Sequence, residues 1–288
     1  WTAPEASGYR ARVGRKAKIQ EFLRTGSVDL VFPDWPGDIF ESERRAHEDM
    51  RAALITEMRQ RSARARSTPN VRVPADMVAH VRGKVAPMVH GLFAPAEHTA
   101  ILALLERAVV VVTANSVENL IAEAAWMSTA WDLANLYLES IDAPVLGKSR
   151  GILGFAENQS CYLSMRYFES NAPFDDFLVH EAAHVFHNCR LETIGLPPTR
   201  SREWLCELEF RERETFAYSC EAFACIAGSA ATPAARRDLA ARFAAEKPYP
   251  AGSVEVAKVE SIVTEAAAAR NGWKLLRQRC APATPPRY

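Results

Sequence analysis

Residues 177 to 188 read FLVHEAAHVFHN, and no other stretch constrains the chain as tightly. The flanking Val179, Ala182, Ala183, Val185 and Phe186 predict a helix buried around most of its circumference. Polar side chains inside such a helix need partners, because burying them unpaired is costly. His180 and His184 stand at i and i+4, one above the other, so both imidazoles can point at a single ion. Glu181 lies about 100° further round the helix, within reach of water at that ion. H-E-x-x-H at these positions predicts one Zn²⁺ per chain, with Glu181 as general base in an attack on a carbonyl. The competing expectation is a core helix whose histidines are simply hydrogen-bonded. His187, a turn beyond His184 on the same face, is expected beside a ligand or the substrate rather than on the metal.

Around this helix the pattern predicts further elements. VVVV at 109 to 112 reads as a buried strand. The second half of GILGFAENQSCYLSMRYFE alternates, with Cys161, Leu163, Met165 and Tyr167 on one side of a strand. The motif helix is expected to begin near Pro173, with Asp175 and Asp176 at its positive end, and to stop before Gly195. Other helices are predicted over EHTAILALLERA, from a Ser116 cap through VENLIAEAAWMSTAWDLANLYLES, from about Ser201 to Gly228, and near 233–246 and 253–278. Residues 1 to about 70 read as polar helices interrupted by FPDWPGD, and Pro74, Pro87 and Pro95 predict short broken segments between Val71 and Glu97. This order predicts a helix-dominated α+β fold with a small mixed sheet. The expected division is a helical N-terminal region, 1–110, and a core with C-terminal helices, 111–288.

Charge excludes some partners. The 35 basic and 35 acidic residues balance, so no global field favours nucleic acid or an anionic membrane. The basic run ERRAHEDMRAALITEMRQRSARARS interleaves acids with arginines and places Met50, Leu54, Ile55 and Met58 at helical spacing, which predicts a surface helix with a solvated face. AVVVVTA is too short to span a bilayer. Cysteines 161, 189, 206, 220, 225 and 280 form no C-x-x-C pair and read as free, mostly buried thiols of a reducing compartment. A cytoplasmic location is therefore expected, while a start at Trp1 rather than Met keeps a secreted origin open. The sequence carries no signal for oligomeric state.

A catalytic zinc site needs a third protein ligand and an open position. No histidine follows at the spacing of H-E-x-x-H-x-x-G-x-x-H, so the third ligand is expected to be a carboxylate on the next long helix: Glu207, Glu212, Glu214 or Glu221.

Four short elements then stand in a familiar order: GFAEN at 154–158, HEAAH at 180–184, ETFA at 214–217 and PYPAG at 248–252. They resemble the G-A-M-E-N, H-E-x-x-H, E-G-F-A and P-Y-x-x-G elements of the aminopeptidase-N-type zinc aminopeptidases, a gluzincin family, over roughly residues 150 to 260. The resemblance implies a zincin-like core with two zinc-bearing helices. It implies His180, His184 and Glu214 as ligands, Glu181 as base, and Tyr249 as donor to the oxyanion. Gly154 would line the substrate backbone and Glu157 would meet a free α-amine. Glu221, at i+7 from Glu214 and i+3 from Tyr218, is placed to orient the site. Ala156 and Ala251 depart from the family's methionine and lysine, and WLCE at 204–207 echoes its W-L-N-E, which makes Glu207 a rival to Glu214. The implied activity is zinc-dependent hydrolysis of a peptide or protein substrate from its amino end. The alternatives are an endopeptidase (a toxin or processing protease) and a silent, peptidase-like scaffold. A deformylase-like site with Cys161 as ligand ranks below these.

Overall fold

A computed structural model describes residues 14–66, 71–148, 151–169, 172–199, 202–246 and 254–282. In chain order the elements are α1 (Arg15–Thr25), α2 (Ile39–Ser62), α3 (Met77–Leu92), α4 (His98–Ala108), β1 (Val109–Val112), α5 (Val117–Glu123), α6 (Met127–Ser140), β2 (Gly154–Glu157), β3 (Ser160–Ser164), α7 (Phe177–Asn188), α8 (Arg213–Ser229), α9 (Pro233–Glu246), α10 (Val256–Ala268) and α11 (Gly272–Cys280). Helix dominates and the three-stranded sheet is mixed, in the order β1-β3-β2, so the architecture is α+β. Among the described residues no helix is long and apolar enough to cross a membrane.

The chain divides into two units, 1–69 with 113–151 and 70–112 with 152–288. This differs from a linear split at residue 110. The reason is pairing at a distance: β1 lies parallel to β3, Val109 opposite Cys161 and Val112 opposite Ser164, which draws the segment before it to the later half of the chain.

In the first unit α2 buries Ala46, Met50, Leu54 and Met58, a stripe every fourth residue. Asp38 caps it, accepting from the Phe40 and Glu41 amides at 3.0 and 2.9 Å. Arg44 pairs with Glu48 at 2.6 Å and Arg61 with Glu57 at 2.7 Å, while Arg51 donates to the Ala124 carbonyl at 2.8 Å. Acids of the basic run thus match two of its arginines, while Arg45 pairs with Glu41 and Arg59 with Glu118. The helix expected from Ser116 is broken, since Ala124 leaves helical geometry between α5 and α6. Ser116 turns its hydroxyl back to accept from the Thr113 amide at 3.0 Å instead of capping α5.

In the second unit Pro87 lies inside α3 and does not break it. An interior proline costs about 3 kcal/mol. Burial of Val81, Val85, Met88, Val89 and Leu92 offsets this, at roughly 1.5–3 kcal/mol for each fully buried large side chain. β2 and β3 form a hairpin, Gly154 opposite Leu163 and Glu157 opposite Ser160, with Asn158 in the left-handed region at φ 53°. Cys161 and Leu163 are buried as expected, but β3 ends at Ser164 and residues 165–169 coil into a 3₁₀ turn. Of the four valines in β1 only Val112 is fully buried.

α7 begins at Phe177, later than Pro173, and α8 begins at Arg213, well after Ser201. The intervening strap holds only short 3₁₀ turns, because several of its amides are committed elsewhere. The Leu191 amide donates to Glu203 O and the Leu205 amide to Cys189 O, both at 2.9 Å, and the Cys206 amide donates to Phe186 O at 3.0 Å. The expected helix over 253–278 is likewise two, with Asn271 capping α11 through the Lys274 amide at 3.0 Å. All six cysteines are free, and only Cys225 is not fully buried. The core of this unit gathers Leu178, Val179, Val185 and Phe186 of α7 with Phe216 and Phe223 of α8.

Candidate metal centre

α7 packs on α8, and the contact brings His180 and His184 to Glu214. The Nε2 atoms of the two histidines lie 3.2 Å apart. Glu214 places Oε2 3.7 Å from His180 Nε2 and Oε1 3.5 Å from His184 Nε2. One donor atom from each of the three lies within 4.8 Å of the others. A tetrahedral ion about 2.0–2.1 Å from its donors spaces them roughly 3.3–3.5 Å apart, so these residues fit one small cation. Exposure is graded: the side chain of His180 is 7% exposed, that of His184 13% and that of Glu214 49%. The cluster therefore opens to solvent on the Glu214 side.

Behind His180 stands Glu221, two turns along α8 from Glu214. Its Oε2 lies 3.2 Å from His180 Nδ1, and its Oε1 accepts the Asp176 amide at 3.0 Å. Asp176 is held in turn by the Tyr167 hydroxyl at 2.8 Å and by Lys84 Nζ at 2.7 Å. This chain of contacts fixes Nδ1 of His180 and leaves Nε2 for the cluster. Phe177 stacks on the same imidazole at 5.7 Å, and the Tyr218 ring meets it edge-on at 4.5 Å.

The charges respond to these surroundings. Burial opposes charge on His180, but the Glu221 hydrogen bond and the charges of Glu221, Glu181 and Glu214 prevail and raise its pKa. Glu214 is held below the usual carboxylate range by its hydrogen bond with His184, against the opposing effect of burial. Burial raises Glu181, which is 5% exposed, against the opposing charges of His180 and His184. Burial, His184 and Arg213 together push His187 down to about 3, so its ring is neutral.

Of the four candidate third ligands, only Glu214 reaches both imidazoles. Glu207 instead closes the strap, its Oε1 accepting the Glu203 and Trp204 amides at 2.8 and 3.0 Å. Glu212 is occupied by Lys258, and Glu221 supports His180. Cys161 is fully buried in β3 and takes no part in the cluster, which removes the basis for a deformylase-like ligand set. Gly154 is required for packing: a Cβ there would stand 2.2 Å from Tyr162 O and 2.9 Å from the Phe177 ring. Glu157 ends β2 at the hairpin turn. Tyr249 and the PYPAG element lie outside the described residues. Sequence reasoning missed Phe177, Tyr167 and Lys84. Only the i, i+3 spacing of Phe177 and His180 offered a signal for any of them.

Chemically, the cluster can hold one divalent cation with a protein-free face, beside a buried carboxylate able to accept a proton. Compared with family models, curated proteins and solved structures, the chain matches none of them.

Proposed function

We propose that this chain is a zinc-dependent peptide hydrolase of the gluzincin kind, acting on the amino end of peptide substrates. The observation that carries the reading is the meeting of His180, His184 and Glu214, with Glu221 locking the tautomer of His180 from behind. Two imidazoles and one carboxylate, with one face open, are a donor set suited to catalytic zinc. Zinc bound there acidifies water and polarises a carbonyl.

The chain's own groups then divide the work. Hydrolysis joins a water oxygen to the carbonyl carbon and breaks the C–N bond. Glu181 takes the proton that the water gives up and hands it to the departing amine. Its burial raises its affinity for that proton, which suits a base that must also act as an acid. The half-exposed Glu214 side gives the substrate its approach. Tyr249 is assigned the donor role toward the oxyanion and Glu157 the hold on a free α-amine, both from the motif resemblance. The test is a zinc titration of the purified chain, followed by hydrolysis of free and N-blocked peptides by wild type and Glu181→Gln. One zinc per chain and turnover that vanishes in Glu181→Gln would support the proposal. A chain that binds no zinc would end it.

A further inference from the structure

Beside the metal cluster are two nitrogen atoms with nothing to bond. Arg213 directly precedes Glu214 in the first turn of α8. Its guanidinium lies over the Phe210 ring at 5.1 Å, and its Nε is buried without a hydrogen-bond partner. Among the described residues no carboxylate pairs with it. His187 is 6% exposed, its ring stands edge-on to His184 at 5.1 Å, and its Nδ1 is likewise buried and unpartnered. Of the two carboxylates flanking Arg213, Glu214 directs its oxygens at the two metal-site imidazoles and Glu212 pairs with Lys258.

Buried polar atoms in folded proteins are almost always paired, so two orphans at one site ask for a partner that is not protein. The cation sets the sign of that partner. A planar guanidinium backed by an aromatic face binds carboxylates through paired N–H donors. The unpaired Nδ1 of His187 adds a second position for a hydrogen bond. An acidic group is therefore the complement, and on a peptide the general acidic group is the terminal carboxylate.

We propose that Arg213 and His187 form a subsite for the free α-carboxylate of a short peptide held at the metal centre. This rests on the hydrolase reading and sharpens its substrate class. Arg213 is one residue from Glu214, and adjacent Cα atoms are about 3.8 Å apart. His187 meets the His184 ring edge-on at 5.1 Å, so a carboxylate held by the pair lies close to the metal centre. The substrates are then short peptides with a free carboxyl end.

The experiment uses the full chain loaded with Co²⁺, whose visible spectrum reports ligands entering the metal centre. Acetohydroxamate and succinic monohydroxamate are titrated separately; the second carries a carboxylate that the first lacks. Wild type should bind succinic monohydroxamate roughly 10- to 100-fold more tightly, the range for a charged hydrogen-bonded group. Arg213→Gln should lose most of that preference while binding acetohydroxamate as wild type does. Equal binding of both probes by wild type overturns the subsite, whatever Arg213→Gln does. If Arg213→Gln does not hold cobalt, Arg213→Lys replaces it, and retention of the full preference in Arg213→Lys overturns the role of the guanidinium fork. Failure of wild type to bind cobalt overturns the metal reading and this inference with it. Preference for the carboxylate probe without hydrolysis of any peptide upholds the subsite and overturns only the hydrolase reading.

Discussion

Glu221 Oε2 lies 3.2 Å from Nδ1 of His180, across the packing of α8 on α7. The same carboxylate accepts the Asp176 amide at the start of α7, so one side chain fixes both the helix entry and the imidazole within it. Replacing Glu221 by Gln keeps an acceptor for that amide but removes the charge behind His180. We expect zinc affinity to fall about 10–100-fold, with unchanged helix content by circular dichroism. Wild-type affinity in a zinc-chelator competition would show that Glu221 does not position His180.

Glu214 and Glu207 should separate cleanly. Glu214→Ala should release zinc or loosen it severely, measured by metal content after dialysis. Glu207→Ala should keep zinc and lose about 1–3 kcal/mol of stability, because two strap amides lose their acceptor. Zinc loss in Glu207→Ala, with retention in Glu214→Ala, would reverse the assignment.

Glu181→Gln should bind zinc normally and lose about 10²–10⁴-fold in kcat, since an amide cannot take the water's proton. Tyr249→Phe should also keep zinc and lose kcat rather than gain KM. Unaltered kinetics in Tyr249→Phe would separate PYPAG from the chemistry.

Glu157→Ala tests the amino-end preference. Wild type should cut a peptide with a free amine well and its acetylated twin poorly, and the variant should lose the distinction. Equal cleavage of both peptides by wild type would favour an endopeptidase.

Glu97 and Arg202 give a pH-dependent stability. Burial alone would raise the Glu97 carboxyl, but hydrogen bonds from Arg202 and the Ala94 amide, with the charges of Arg202 and Arg277, hold it below its ordinary value. A depressed carboxyl contributes stability above its unfolded pKa, about 4.3, and that contribution disappears as pH falls through the folded value. Glu97→Gln should therefore lower the melting temperature by more at pH 7 than at pH 3. An equal loss at both values would show that the pair acts through packing alone.

The sequence by itself determined what is local. The i, i+4 histidines, the intervening base and the i+7 step from Glu214 to Glu221 are properties of helix geometry, readable wherever a helix is certain. Alternation likewise placed Cys161 and Leu163 on a buried strand face. Contacts between distant segments decided the rest. The choice of Glu214 over Glu207 turned on strap amides bonding to Cys189, Phe186 and Glu203, which postponed α8 to Arg213. Pro87 stayed in a helix because the α3 core stripe outweighed its local cost, and the halves of the chain were sorted by β1 pairing with β3. Lys84 reached the site through Asp176 from 92 positions away in sequence. Periodicity records which face of an element is buried, but the partner on that face is set by long-range packing, which no single stretch of chain contains.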